Sequence, residues 1–261
     1  MEEIQPYKEL RATVEPMLTS YVFAELKNQQ PFLRMRALWM YGQFVDKMKF
    51  KDDAHLREVT LLTYQSLHSD PELPVRLTAA SAMKNLLKID SACELLKPNL
   101  GHILTAYLKL MSEIESEELV NALEEIVSLY SDDIDPFAIQ LTEQLVASYQ
   151  RLVHTNPDDD DGESALAAQG CVVTIRRIID SVSKNVELIR KIEEIALPMF
   201  MFGLTPDGMD SIEDALDCIT MILYHGQHVS QMMWKTYPQL LYLVCGDEKD
   251  PDGGYGFEYI S

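Results

Sequence analysis

Apolar residues recur at spacings of three and four in every long segment of the chain, and no run of five or more residues alternates with a period of two. That pattern predicts helices throughout. Glu117 to Tyr130 shows it most plainly. Leu119, Val120, Leu123, Ile126, Val127 and Tyr130 share one face, and Glu117, Glu118, Asn121, Glu124, Glu125 and Ser128 the other. Such a helix has one side to bury and one acidic side to leave in water. Breakers interrupt the pattern at Pro16, Pro31, Pro71 with Pro74, Pro98, Pro136, Pro157, Pro198 and Pro206, which leaves helices of roughly 12 to 20 residues. N-terminal cues stand where they are needed, at Ser116 ahead of Glu117 and Glu118 and at Asp135 ahead of Pro136. The elements pair into helical hairpins, whose second helices are predicted to start near Leu33, Pro74, Glu117, Glu163 and Asp207.

Those starts are roughly 41 to 46 residues apart, the period of a two-helix repeat of the HEAT or armadillo kind. The best-formed unit is SDPELPVRLTAASAMKNLL, with Asp70, Pro71, Val75, Arg76, Ala79, Ala80 and Ala82. It resembles the HEAT motif, an Asp-Pro turn followed by Val-Arg and then small residues. Asp70 is expected to cap the turn and to meet Arg76 of the same or an adjacent unit, and the alanines to let two helices approach closely. The expected fold is all-α: a right-handed α-solenoid of HEAT-type helical hairpins. One segment is expected over 1–261, with about five hairpins and one extra helix, an acidic loop at 156–163 and a C-terminal loop at 246–261. Terminal repeats of a solenoid normally carry a polar outer face. Here Tyr7 to Leu26 opens with an apolar-striped helix, and the helix Ser230 to Val244 stands shortly before Tyr259, Ile260 and Ser261. The chain is therefore expected to be a piece of a longer solenoid.

Composition narrows the partners. With 261 residues, 47% apolar and 25% charged, the chain can bury a sizeable core. Forty-two acidic against 22 basic residues give a formal charge of -20, which repels phosphate backbones and anionic lipid. Nucleic acid and membrane are thus excluded as expected partners. The longest apolar run, Ile195 to Leu204, is interrupted by Pro198 and has about half the roughly 20 residues that span a bilayer. Met1 is followed by Glu2 and Glu3, unlike a secretory signal, so an intracellular protein is expected. Cys93, Cys171, Cys218 and Cys245 lack CxxC spacing and sit in apolar helical segments, which favours reduced thiols and no disulfide.

A family resemblance covers essentially the whole chain. The run RMRALWMYGQFVDKMKFK, with Arg34, Arg36, Ala37, Trp39, Phe44, Lys49, Phe50 and Lys51, resembles the middle of the importin seven and importin eight receptors of the importin-β superfamily. Further similarities follow in order at Pro74, Val75, Ala79 and Ala80, then the acidic loop Asn156 to Glu163. Val229, Ser230, Met233, Trp234 and Pro238 come next, and Gly256, Phe257 and Tyr259 last. The resemblance implies nuclear import: binding basic cargo such as ribosomal proteins and histones, passing Phe-Gly nucleoporins at the nuclear pore, and releasing the cargo when GTP-bound Ran binds. It also implies residence in both cytoplasm and nucleus. The amino-terminal repeats through which that family chiefly contacts Ran have no counterpart in this chain.

Candidate site residues follow from the acidic character. Between Met111 and Gln150 there is no Lys, Arg or His, yet Glu113, Glu115, Glu117, Glu118, Glu124, Glu125, Asp132, Asp133, Asp135 and Glu143 all occur. Second helices line the concave side of such a solenoid, so Glu117, Glu118, Glu124 and Glu125 are expected to form an inner acidic wall for lysine-rich cargo. The same carboxylates would also serve a helix face that merely keeps the protein soluble. Asp158, Asp159, Asp160 and Asp161, between the two helices of the fourth hairpin, are the second candidate, for cargo or for a basic patch on Ran. They lack the spacing of a calcium loop. His225, His228 and Cys218 offer too few ligands for zinc, and Gly246 to Glu258 lacks the strand and lysine of a phosphate loop. No nucleophile motif is present, so neither catalysis nor a cofactor is expected. Trp39 and Trp234 are expected to pack in the core, with Trp234, Phe200 and Phe202 as the lesser candidates for a Phe-Gly groove. The rival function is a general HEAT scaffold for a multiprotein assembly without GTPase control.

Overall fold

A computed structural model describes residues 8–45, 50–114, 116–153 and 163–245. Among these every regular element is helical. The α-helices in chain order are α1 Lys8–Met17, α2 Pro31–Phe44, α3 Asp53–Ser69, α4 Leu73–Leu86, α5 Asp90–Leu96 and α6 Leu100–Glu113. They continue with α7 Glu117–Leu129, α8 Ala138–Leu152, α9 Glu163–Ser181, α10 Val186–Gly203, α11 Ile212–Gly226 and α12 Tyr237–Cys245. Second helices start at Pro31, Leu73, Glu117, Glu163 and Ile212, the last preceded by a 3₁₀ turn from Pro206.

The prolines explain most of the boundaries. Pro31 and Pro74 sit in the first turns of α2 and α4, where the missing N–H has no intrahelical partner to lose. Pro198 behaves otherwise, because α10 runs through it to Gly203. A proline inside a helix forfeits one backbone bond, but Pro198 faces solvent while Ala196, Leu197, Met199 and Phe200 around it are buried. Burial of that stripe keeps the last turns helical. Pro16 likewise lies in the last turn of α1, which gives way to a π-helical turn, Leu18–Val22, and a 3₁₀ stretch, Phe23–Lys27.

The helices form two compact units, residues 1–114 and 115–261. In the first unit α2 packs on α4 and α3 on α6, while α3 and α4 pack face to face as a hairpin. In the second unit α9 lies between α7 and α11, α8 packs on α10, and the hairpins are α8 with α9 and α10 with α11. Each unit is therefore two rows of helices with the apolar stripes between them. This is an all-α solenoid architecture of HEAT-type repeats, in which each hairpin buries its core against its neighbours. On α7, for example, Leu119, Val120, Ala122, Leu123, Ile126 and Val127 are all buried.

Small residues set how closely the second helices meet. A Cβ on Gly42 of α2 would lie 3.0 Å from the Cα of Ala82 on α4, and one on Gly170 of α9 would lie 2.9 Å from Val120 Cγ1 on α7. Asn85 Nδ2 donates to the Gly42 carbonyl at 3.0 Å across the first of these contacts. The buried Tyr107 hydroxyl donates to the Ala80 carbonyl at 2.6 Å, tying α6 to α4. Beside them Tyr41 Oη lies 3.1 Å from His55 Nε2, and burial pushes the Tyr41 phenol well above its ordinary pKa. Burial also pushes the Cys171 thiol up to about 12 and raises that of Cys218, so both pack as neutral side chains.

Replacing Gly42 by Leu should force α2 and α4 apart and cost about 2 kcal/mol or more. Gly226→Ala, where a Cβ meets only Ile189 Cγ2 at 3.5 Å, should change stability by less than about 1 kcal/mol. Urea denaturation followed by far-ultraviolet circular dichroism compares the two, and equal losses would show that the Gly42 approach is not limiting.

Candidate functional site

Charge is unevenly divided between the two units. Residues 1–114 hold 14 of the 42 acidic and 14 of the 22 basic residues, which leaves 28 acidic against 8 basic in 115–261. The whole formal charge of -20 therefore belongs to the second unit.

In the first unit two arginines, Arg34 and Arg76, are spent on structure. Arg34, in the first turn of α2, donates from Nε to Asp70 Oδ2 at 2.7 Å and from Nη2 to Asp70 Oδ1 at 2.9 Å. Its Nη1 donates to the carbonyls of Asn28 and Gln29 at 2.9 and 3.1 Å. One planar guanidinium thus fastens the end of α3 to the loop before α2, a geometry that lysine does not supply. Asp70 Oδ1 also accepts from the Glu72 N–H at 3.0 Å, which closes the turn into α4. One repeat later, at the same position of α4, Arg76 binds Glu113 at the end of α6 through its two terminal nitrogens, Nη1 to Oε1 at 3.1 Å and Nη2 to Oε2 at 2.7 Å. The direct partner of Asp70 is thus Arg34, in place of the expected Arg76, because each arginine reaches forward to the acid that ends the next first helix. Val75 is buried, as are Ala79, Ala80 and Ala82, while Pro71 stays exposed in the turn.

In the second unit the second helices carry the charged ladder. Glu124 of α7 accepts from Arg177 Nε of α9 at 3.1 Å. Arg176 Nη1 of α9 binds Asp217 of α11 at 2.6 Å and lies 3.8 Å from Asp214. Gln169 Nε2 adds a bond to Asp214 at 3.1 Å. Glu117 accepts from Asn121 at 3.1 Å. Of the four α7 glutamates only Glu118 is exposed, whereas Glu117, Glu124 and Glu125 are half-buried. The side opposite the apolar stripe of α7 is thus partly covered by its neighbours. What it does chemically is already visible in the Glu124–Arg177 pair: it accepts a guanidinium at the surface.

Comparison with known proteins gives consistent relatives. The chain is 31% identical over 92% of its length to an importin beta-like SAD2 homologue of Arabidopsis thaliana. It is 29% identical over 89% of its length to a probable importin-7 homologue of Dictyostelium discoideum, and 26% identical over 85% to importin-8 of Mus musculus. The chain belongs to the importin-β family. It covers 23%, 22% and 22% of the lengths of those relatives respectively. No family model and no solved structure matches it. Importins are nuclear transport receptors, and the arginines Arg34 and Arg76 that pin successive repeats are part of how this member holds its helices in register.

The remaining sequence candidates fall in different places. Asp158 to Asp161, the acidic loop 156–163 up to its last residue, and the C-terminal loop 246–261 lie outside the described residues. Trp234 is 59% exposed with its ring 6.1 Å from that of Tyr237, so it is not a core residue. Trp39 is half-buried, with the Arg36 guanidinium 3.9 Å over its ring. Phe200 is wholly buried and cannot line a groove, while Phe202 meets the edge of Tyr149 at 6.2 Å. Cys218 is buried against the Val172 carbonyl and His228 is exposed, and no group of three or more His, Cys, Asp or Glu able to hold a metal occurs among the described residues. No helix among them is long and apolar enough to cross a membrane. Sequence reasoning missed Arg177 and Arg176, although two adjacent arginines in an otherwise uncharged stretch of α9 were a signal that carboxylates on neighbouring helices would meet them.

Two stability predictions follow from the two ladders. Asp70 is buried, which alone would raise its pKa, but the hydrogen bonds from Arg34 and Glu72 and the nearby positive charges outweigh burial and hold it below the usual carboxylate range. The unfolded chain then binds the proton more readily, so the contribution is complete well above about pH 4 and is lost as pH falls through the folded value. Asp70→Asn should therefore flatten the acid side of a stability-against-pH curve, measured by urea denaturation from neutral to acid pH. Arg34→Ala, which strands a carboxylate only 6% exposed, should cost about 2 to 4 kcal/mol. Arg177→Ala, whose pair is 48% and 23% exposed, should cost less than about 1 kcal/mol. A reversed order in the same urea titrations would refute this ranking.

Proposed function

We propose that the chain is a segment of a nuclear import receptor that binds basic cargo proteins, with ribosomal proteins and histones as the expected class, and that it works in Ran-dependent passage between cytoplasm and nucleus. The observation that carries this reading is the confinement of the -20 charge to residues 115–261, in a chain whose relatives are named importins. Such a charge excess attracts lysine- and arginine-rich partners at long range and speeds their association, with a strong dependence on salt.

Glu117, Glu118, Glu124 and Glu125 are the proposed cargo-facing residues, and Asp158 to Asp161 the proposed second acidic element, for cargo or Ran. Glu124 supports the assignment because its carboxylate already accepts a guanidinium, that of Arg177. A cargo arginine or lysine would compete for that carboxylate or add to the unfilled sites around it. Contact with Phe-Gly nucleoporins is proposed from the family alone. Ran is expected to bind chiefly through other parts of the receptor.

The test is a titration of the chain with a lysine-rich histone at two salt concentrations, with and without GTP-bound Ran. Binding should weaken as salt rises, and replacing the four α7 glutamates by Gln should lower affinity and reduce the salt slope. The loss should be largest at low salt, where the four removed carboxylates are screened least. Wild-type affinity and salt slope in the variant would remove the α7 assignment. Absence of any histone binding by the wild type would favour a general scaffold.

A further inference from the structure

In the second unit α10 and the turn after α11 border a cavity of about 180 Å³. Glu193 of α10 lines it and is only 5% exposed. Its Oε1 accepts from the Ser230 hydroxyl, and Ser230 Oγ accepts from the Met233 N–H at 2.9 Å. The serine is thereby held as a neutral donor to a carboxylate. Among the described residues nothing else bonds to Glu193 and no cation pairs with it, although a buried charge normally has such a partner. Its second oxygen has no partner and is not sealed from the cavity. Arg190, one turn earlier on α10, lines the same space but is exposed and forms no ion pair among the described residues. Glu194 and His228 are the other titratable groups there, both exposed. Gly226 brings the C-terminal end of the 15-residue α11 to the cavity. There the last carbonyls of a helix have no intrahelical partner and its dipole is negative.

We propose that this cavity receives one lysine side chain of a bound partner, whose ammonium pairs with the open oxygen of Glu193. The proposal rests on the reading of the chain as a receptor for basic proteins, and it adds a contact on a different helix from α7. Size and charge both suit the ligand. A volume of 180 Å³ is the liquid share of about six waters, enough for the side chain of a lysine from Cβ to Nζ. Two carboxylates and a helix C-terminus against the one exposed guanidinium favour a cation over an anion. Met232 lines the cavity as well and offers an apolar surface to the methylene stem, which lysine buries while its charged head finds a polar partner. A hydrogen bond from an ammonium to a carboxylate is among the stronger ones a side chain makes. The desolvation of Glu193 is already complete in the folded chain, so the entering lysine gains the pairing without that cost.

The experiment follows the Met232 methyl signal by nuclear magnetic resonance in the full chain labelled at methionine, assigned by its loss in Met232→Leu. N-acetylated hexalysine should shift that signal saturably, and the same peptide with every lysine side chain acetylated should leave it in place. Glu193→Gln keeps the size of the side chain and an acceptor for Ser230, so circular dichroism should be unchanged while the midpoint of the Met232 titration rises at least about tenfold. Should that variant fail to fold, the two peptides still decide the matter on the wild type. A chain this acidic attracts cations generally, and a Met232 signal that hexalysine does not move, or moves equally in Glu193→Gln, would assign the peptide to other carboxylates and overturn the proposal. Histone binding through α7 would survive that result, because it is read from the α7 variant. A saturable, Glu193-dependent shift in a chain that binds no histone would uphold the pocket and remove the cargo reading.

Discussion

An amphipathic helix in water cannot bury its apolar stripe alone, and here α2 does so by lying almost in backbone contact with α4, and α9 by lying close against α7. At Gly42 against Ala82, and again at Gly170 against Val120, there is room on the glycine for no more than a hydrogen. The close approach permits the Asn85 bond to the Gly42 carbonyl and leaves Leu38, Tyr41, Ala79 and Met83 fully buried beside it. Interiors packed at crystal-like density transmit small changes in size. A larger residue at either glycine would therefore displace a whole helix, and with it the charged groups that the helix carries.

The ionic ladders are a consequence of that spacing. Arg34 and Arg76 occupy the same position in successive second helices, and each finds an acid at the end of the following first helix, Asp70 or Glu113. The repeat distance brings the two contacts to corresponding places, although Glu113 is more exposed than Asp70. Burial of the Arg34 pair raises the stakes of breaking it, since a desolvated carboxylate without its guanidinium has no water to turn to. In the second unit the ladder moves from helix ends to helix faces, where Arg176 and Arg177 are shared among Glu124, Asp214 and Asp217. These pairs are more exposed and contribute less, but they hold a few cations among many carboxylates.

The separation of charge has a physical consequence. A neutral first unit and a second unit with a charge of -20 give one chain two different surfaces from a single repeat design. Net charge of that size repels other acidic macromolecules, and it raises the encounter rate with basic ones. The fold tolerates it because the core depends on apolar stripes rather than on the surface, so charge can accumulate on one unit without altering how the helices pack.

Much of this was legible in the residues. The three-and-four spacing determined that the chain is helical, and the breakers placed the second helices at Pro31, Leu73, Glu117 and Glu163 to within two residues of where they start, because helix periodicity and proline chemistry are local properties. The Asp-Pro turn carried the HEAT resemblance, and the Arg-x-Arg-Ala-x-Trp run the family resemblance. Tertiary structure alone decided which partner each charge meets: Asp70 takes Arg34 from the preceding repeat, and Glu124 takes Arg177 from 53 residues away. It also decided that Pro198 would not end its helix, that Trp234 would face solvent, and that His68 would stack on His102. Each of these depends on what a neighbouring helix covers, and spacing along one helix contains no information about the helix beside it.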